Sequence, residues 1–161
     1  PPPAGRAFCF LPLPVATQLP VHVNGYFELS SNRRDIWHGE DMAGEGKRRS
    51  EWNYLLLKDV IAPLYAQLVV EASQILGPTS QYYSLIPTIQ PAKPWVIMYE
   101  AFYEHVRSQP IVFSDLGGGQ WLPPKQVVAL EGEPARPAAS GSVEEKDGGS
   151  GSGGNAGKEA A

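Results

Sequence analysis

Residues 19–37, LPVHVNGYFELSSNRRDIW, decide how the rest of the chain is read. The first half alternates. Val21 and Val23 share one face of an extended segment, and His22 and Asn24 share the other. Tyr26, Phe27 and Leu29 continue a strand-like composition after Gly25, which falls where a bulge or sharp twist fits. The second half turns polar, becomes basic at Arg33 and Arg34, and closes on Ile36 and Trp37. A strand running into a basic loop is the central expectation.

Upstream, Ala7, Phe8, Cys9, Phe10 and Leu11 form a short apolar run between Gly5 and Pro12, suited to a strand buried on both faces. Pro12 and Pro14 are predicted to end it, because proline donates nothing to a sheet ladder. The two strands are expected to pair antiparallel through residues 12–19. Downstream, residues 30–47 read as a long polar loop anchored by Ile36 and Trp37.

A helix follows, with Ser50 as its expected N-cap. Trp52, Leu55, Leu56, Val60, Leu64, Leu68, Ala72 and Ile75 recur at three- and four-residue steps and predict its buried stripe, widened by Leu57, Ile61, Val69 and Val70. Pro63 predicts a kink or a junction at 62–63, and Gly77–Pro78 a stop. Residues 80–87 read as a loop or short helical turn. Pro94 opens a second helix lined by Trp95, Met98, Tyr99, Phe102 and Val106. Residues 111–114 and 121–122 predict a hairpin around DLGGGQ, residues 115–120, and residues 127–130 a last strand or strap.

The fold class is therefore α+β: a small, mostly antiparallel sheet packed against a long kinked helix and a second helix. The expected organisation is a disordered leader at 1–4, one domain at 5–130, and a disordered tail at 131–161. That tail, rich in Gly, Ser, Ala and Glu, has too little apolar surface to offset the entropy of ordering. The domain is long enough for a real core.

The net charge of −4 and the lack of a basic stripe argue against nucleic acid as a partner. No apolar run reaches the ~20 residues that a membrane helix needs. A single cysteine excludes an internal disulfide and suits a reducing, cytoplasmic setting. The first residue is Pro1, as expected for a piece of a larger protein.

Several constellations carry possible chemistry. Arg33 and Arg34 offer planar forks of donors that match phosphate or carboxylate. They could equally be solvated charges balanced by Asp35 and Glu40. Lys47, Arg48 and Arg49 precede the expected helix start, where positive charge is disfavoured, so they are expected to lie outside it or to pair with loop acids. Cys9 and His22 could be drawn as a nucleophile and base, but Cys9 lies in an apolar run with nothing local to lower its pKa. His38, Glu40 and Asp41 lack the ligand spacing of a structural zinc site, and no metal is expected. Gly117, Gly118 and Gly119 lack the Lys–Ser/Thr and helix of a P-loop. Trp52, Trp95 and Tyr99 could line a groove, but core positions are their expected role.

Four blocks in order carry a more specific signal: GRAFCFLPLP (5–14), residues 19–37, WNYLLLKDVIAPLYAQL (52–68) and YYSLIP (82–87). Together they resemble the repeating region of sacsin and its plant and algal relatives. The resemblance implies a non-catalytic segment following a GHKL-type ATP-binding domain, analogous to the middle domain of heat-shock chaperones. It implies that Arg33 or Arg34 contacts the ATP γ-phosphate, with Asn32 and Trp37 supporting the loop. The acid- and asparagine-bearing helix of a GHKL site is absent, and DGG at 147–149 falls in the tail. No cofactor is therefore expected on this chain, and ATP with Mg is expected on the upstream domain. The implied partners are that domain, unfolded clients and other chaperones. The alternative is a protein–protein interaction module with no role in ATP turnover.

Overall fold

The computed structural model describes residues 5–39 and 43–128. The leader, Glu40, Asp41, Met42, residues 129–130 and the tail lie outside the described residues. The chain begins with β1 (Arg6–Cys9), β2 (Leu11–Ala16) and β3 (Val23–Asn24), in the sheet order β2-β1-β3.

Three expectations for this region are corrected. First, the apolar run 7–11 is not one strand buried on both faces. It breaks at Phe10, whose φ of 61° turns the chain directly from β1 into β2 and leaves its ring 79 % exposed. Second, Pro12 and Pro14 do not end a strand but lie within β2. An edge strand needs only alternate N–H groups for its ladder, so two prolines of the same parity are accommodated. Third, β3 pairs with β1 parallel, with Ala7 opposite Val23 and Phe8 opposite Asn24.

The third correction follows from the second. β2 is itself the returning strand and ends beside the start of β1, with Ala16 opposite Arg6. The chain then passes the beginning of β1 and arrives on its other side pointing the same way. Gly5 is the pivot: its amide donates to the Leu19 carbonyl (2.7 Å), and its carbonyl accepts from the Thr17 amide (3.0 Å). A Cβ here would lie 1.8 Å from the Val21 carbonyl oxygen, so only glycine lets the crossing strand approach.

Strand character also covers less of 20–29 than its composition suggests. Gly25 donates to Phe8 and its carbonyl accepts from the Phe27 amide, a tight twist at the expected place. Extended pairing resumes as a single antiparallel bridge between Leu29 and Ile36.

The long helix comprises α1 (Gly44–Leu55), a π-helical segment (Leu56–Ile61) and α2 (Ala62–Leu76). It starts six residues before Ser50, which corrects the expected cap. Ser50 sits inside α1 and donates its hydroxyl to the Gly39 carbonyl (2.9 Å). The junction expected at Pro63 is met as a widened turn rather than a break. Proline offers no amide proton and its ring displaces the carbonyl one turn back, and the wide turn absorbs both effects.

The buried face of this helix differs from the expected stripe. Asn53, Leu57, Ile61, Tyr65, Val69 and Ser73 are buried, whereas Trp52, Val60, Leu64, Leu68 and Ile75 are exposed. In an unbroken α-helix, 53 and 73 would be turned roughly 200° apart, on opposite sides. The π-helical turn takes up part of that rotation and keeps both against the core.

α3 (Ser80–Tyr83) is capped by the Thr79 hydroxyl. α4 (Trp95–Val106) packs Met98, Phe102 and Val106 inward, with Tyr65 against Phe102 at 5.2 Å between ring centroids. Tyr82 is fully buried and donates to the Ile111 carbonyl (2.8 Å). Burial, with Tyr83 alongside, pushes its phenol up to about 12. β4 (Val112–Ser114) and β5 (Gln120–Leu122) form the expected antiparallel hairpin, and Gly117, Gly118 and Gly119 all have positive φ in its turn. A 3-10 turn at Pro124–Gln126 follows. Of the strand or strap expected over 127–130, Val127 and Val128 carry no regular element and Val128 is exposed, while residues 129–130 lie outside the described residues. The whole is α+β, with the sheet, the long helix and α4 sharing one core. Among the described residues, no helix is long and apolar enough to cross a membrane.

Candidate functional site

The segment 30–36 folds into a tight loop rather than an open one. The Leu29–Ile36 bridge closes its base, with the Trp37 amide donating to Glu28 (2.8 Å). Within it, the Ser30 amide donates to Asp35 and the Arg33 amide to Ser30, both at 2.8 Å. The Asn32 side-chain oxygen accepts from the Ser30 hydroxyl (2.6 Å) and from the Arg34 amide (2.9 Å). Asn32 therefore shapes the turn.

This network presents Arg33 and Arg34 to solvent at the loop tip. Arg33 has a φ of 54°, a left-handed conformation that costs a non-glycine residue roughly 1–2 kcal/mol. Among the described residues, neither guanidinium has a hydrogen-bond or ion-pair partner. The balancing contact with Asp35 is not made, and Glu40 lies outside the described residues. Two adjacent unpaired forks on a hydrogen-bonded loop form a surface that can accept an anion.

The base of the loop is held by α1, through Asn53 and Arg49. Asn53 is 2 % exposed, and its side-chain oxygen accepts from the Glu28 amide (2.9 Å). Its side-chain nitrogen donates to the carbonyls of Glu28 (2.7 Å) and Trp37 (2.8 Å). One side chain thus ties together both strands that enter and leave the loop. Arg49 adds an ion pair to Glu28 (3.0 Å), a hydrogen bond to the Leu29 carbonyl, and a cation–π contact over Trp37 at 5.3 Å. The indole nitrogen of Trp37 donates to the Gly46 carbonyl (2.9 Å).

Arg49 corrects the expectation for the basic cluster at 47–49. All three residues lie inside α1, and Lys47 pairs with Glu51, one turn on, at 3.7 Å. Arg49 is a fastener of the loop, not a free charge. The sequence signal for it was the four-residue step from Arg49 to Asn53, which puts both on one face of a helix that starts at Gly44.

Beside the loop, a shallow depression of about 510 Å³ is lined by Ser30, Asp35, Trp37, His38, Gly39 and Lys93. His38 Nδ1 lies 2.9 Å from the Ile36 carbonyl, which can only accept, so the proton sits on Nδ1.

Other candidates are not brought together. The Cys9 thiol faces the Phe27 carbonyl at 3.5 Å. His22 Nδ1 accepts from the Arg6 amide (2.9 Å), and its ring stacks edge-on with Phe8. Each is committed to a different partner, and no nucleophile–base pair results. No cluster of three metal-ligating side chains occurs among the described residues. Trp95 is buried against Phe27, Tyr99 stacks on Tyr103, and Trp52 is half exposed with its indole nitrogen donating to the Tyr26 carbonyl. These three do not share a groove.

Over 75 residues, 47 % of its length, the chain is 45 % identical to Sacsin from Homo sapiens. The chain is sacsin-like over that region. The match spans 2 % of the human protein's length. No family model matches the chain, and no solved structure matches it.

Proposed function

We propose that this chain is a non-catalytic module of a sacsin-type molecular chaperone or co-chaperone, of the plant and algal kind, working in the cytoplasm beside a GHKL ATP-binding domain supplied elsewhere in its parent. In this reading Arg33 and Arg34 contact the phosphates of ATP held with Mg on that domain. The chain itself carries no nucleotide and performs no reaction alone. The unfolded clients and companion chaperones of the parent are its further partners.

One observation supports the phosphate role: two neighbouring guanidiniums have no partner among the described residues, at the tip of a loop whose own backbone and whose base are fixed by Asn32, Arg49 and Asn53. Solvated arginines on a mobile segment would not need that support. A transferring phosphoryl group carries charge on its equatorial oxygens, and an arginine delivered from a second domain stabilises it.

The test is steady-state ATP hydrolysis by a longer protein containing both the ATP-binding domain and this chain. Arg33→Ala and Arg34→Ala should together slow turnover 10-fold or more, with nucleotide affinity changed less. Unchanged turnover in the double variant would remove the phosphate role and leave a module that acts only through protein contacts.

A further inference from the structure

The outer face of the long helix carries an apolar ridge that the described residues leave largely exposed. Trp52, Leu56, Val60, Leu64 and Leu68 follow one another at four-residue steps. Leu64 is 61 % exposed, and Trp52, Val60 and Leu68 are each more than two-fifths exposed. Such a row is the unit by which one helix packs on another. A contiguous exposed apolar strip of this kind marks an interaction surface.

The pattern of the ridge indicates its occupant, because it is symmetric about Val60. In an antiparallel pair of these helices centred there, Val60 meets its own copy, Leu56 meets Leu64, and Trp52 meets Leu68. The charges agree with the same register. Arg48 lies about 18 Å before Val60 and Glu71 about 16 Å after it, so each Arg48 falls beside the Glu71 of the other chain. Both side chains are exposed, and neither has an ion-pair partner among the described residues. An isologous two-fold interface requires this kind of self-complementarity.

We propose that the ridge from Trp52 to Leu68 is a homotypic docking surface, on which a second copy of this chain packs antiparallel about Val60 with two Arg48–Glu71 ion pairs at its ends. The inference is independent of the phosphate role, because the ridge and the arginine loop involve different residues.

Sedimentation equilibrium of the full 161-residue chain tests it. A concentration-dependent dimer is expected, and Leu64→Glu should abolish it while leaving the far-UV spectrum unchanged. Arg48→Glu and Glu71→Arg should each weaken the dimer 10-fold or more by placing like charges together. Mixing these two variants should restore association, because each mismatched charge then meets its opposite. A wild-type chain that stays monomeric at several hundred micromolar overturns the proposal. So does a dimer that Leu64→Glu leaves intact, or one that the charge-reversal mixture fails to restore.

Discussion

The two faces of the long helix use the same spacing for opposite purposes. On the inner face, Asn53, Leu57, Ile61, Tyr65, Val69 and Ser73 run at four-residue steps and are buried. On the outer face, Trp52, Leu56, Val60, Leu64 and Leu68 run at the same steps, and most of them meet solvent. The outer series is purely apolar, whereas the inner one begins with an asparagine and ends with a serine. The buried series is thus the more polar of the two series. Burial follows from what each side chain must hold in place. Asn53 is inside because its one side chain bonds three backbone groups at the base of the arginine loop, and Ser73 is inside because its hydroxyl finds the Val70 carbonyl at 2.6 Å.

The sharpest way to break this comparison is a matched pair of substitutions, one residue from each face. Leu57→Ala should lower unfolding free energy by about 2–5 kcal/mol, since it opens a cavity at a fully buried site. Leu64→Ala, measured where the chain is monomeric, should change it by about 0.5 kcal/mol or less. Urea denaturation of the two variants checks this, and equal costs would mean that the outer face is covered within the monomer. Asn53→Ala comes next, at about 1–3 kcal/mol, because the part-buried Glu28 amide and Trp37 carbonyl lose the Asn53 side chain as a partner. Its amide-exchange signature should be local, with protection lost first at Glu28. Uniform loss across the sheet would contradict the clamp.

A smaller effect concerns pH. Burial, together with neighbouring tyrosines, raises Tyr82 and Tyr103 to about 12 from their ordinary 10. Their protons are held more tightly in the folded chain than in the unfolded one. The stability they contribute is complete below pH 10 and is lost as pH rises towards 12. An alkaline titration of the melting temperature should fall in that window, and Tyr82→Phe should make the fall shallower.

Much of this molecule was legible in its sequence, and the misreadings have definite causes. The twist at Gly25, the stop at Gly77 and the turn at 117–119 each rest on glycine, and the anchors Ile36 and Trp37 on being large apolar residues in a polar loop. The α+β class followed from them. The helix face was misread because two apolar series lie along it and only the π-helical turn, a three-dimensional feature, selects between them. The parallel pairing of β3 was hidden by Pro12 and Pro14, which suggest a strand end wherever an edge strand is not foreseen. For the arginine loop, the pair at 33–34 was visible, and its turn-forming Asn32 with it. The clamp was not, because Arg49 and Asn53 acquire meaning only when α1 is known to begin at Gly44.

The most direct measurement is reconstitution in trans. This chain, added to a separately prepared ATP-binding domain from its parent, should hydrolyse no ATP by itself and should accelerate turnover by that domain in a saturable way. The Arg33→Ala, Arg34→Ala double variant should bind the domain and fail to accelerate it. Acceleration that survives loss of both arginines would contradict the account.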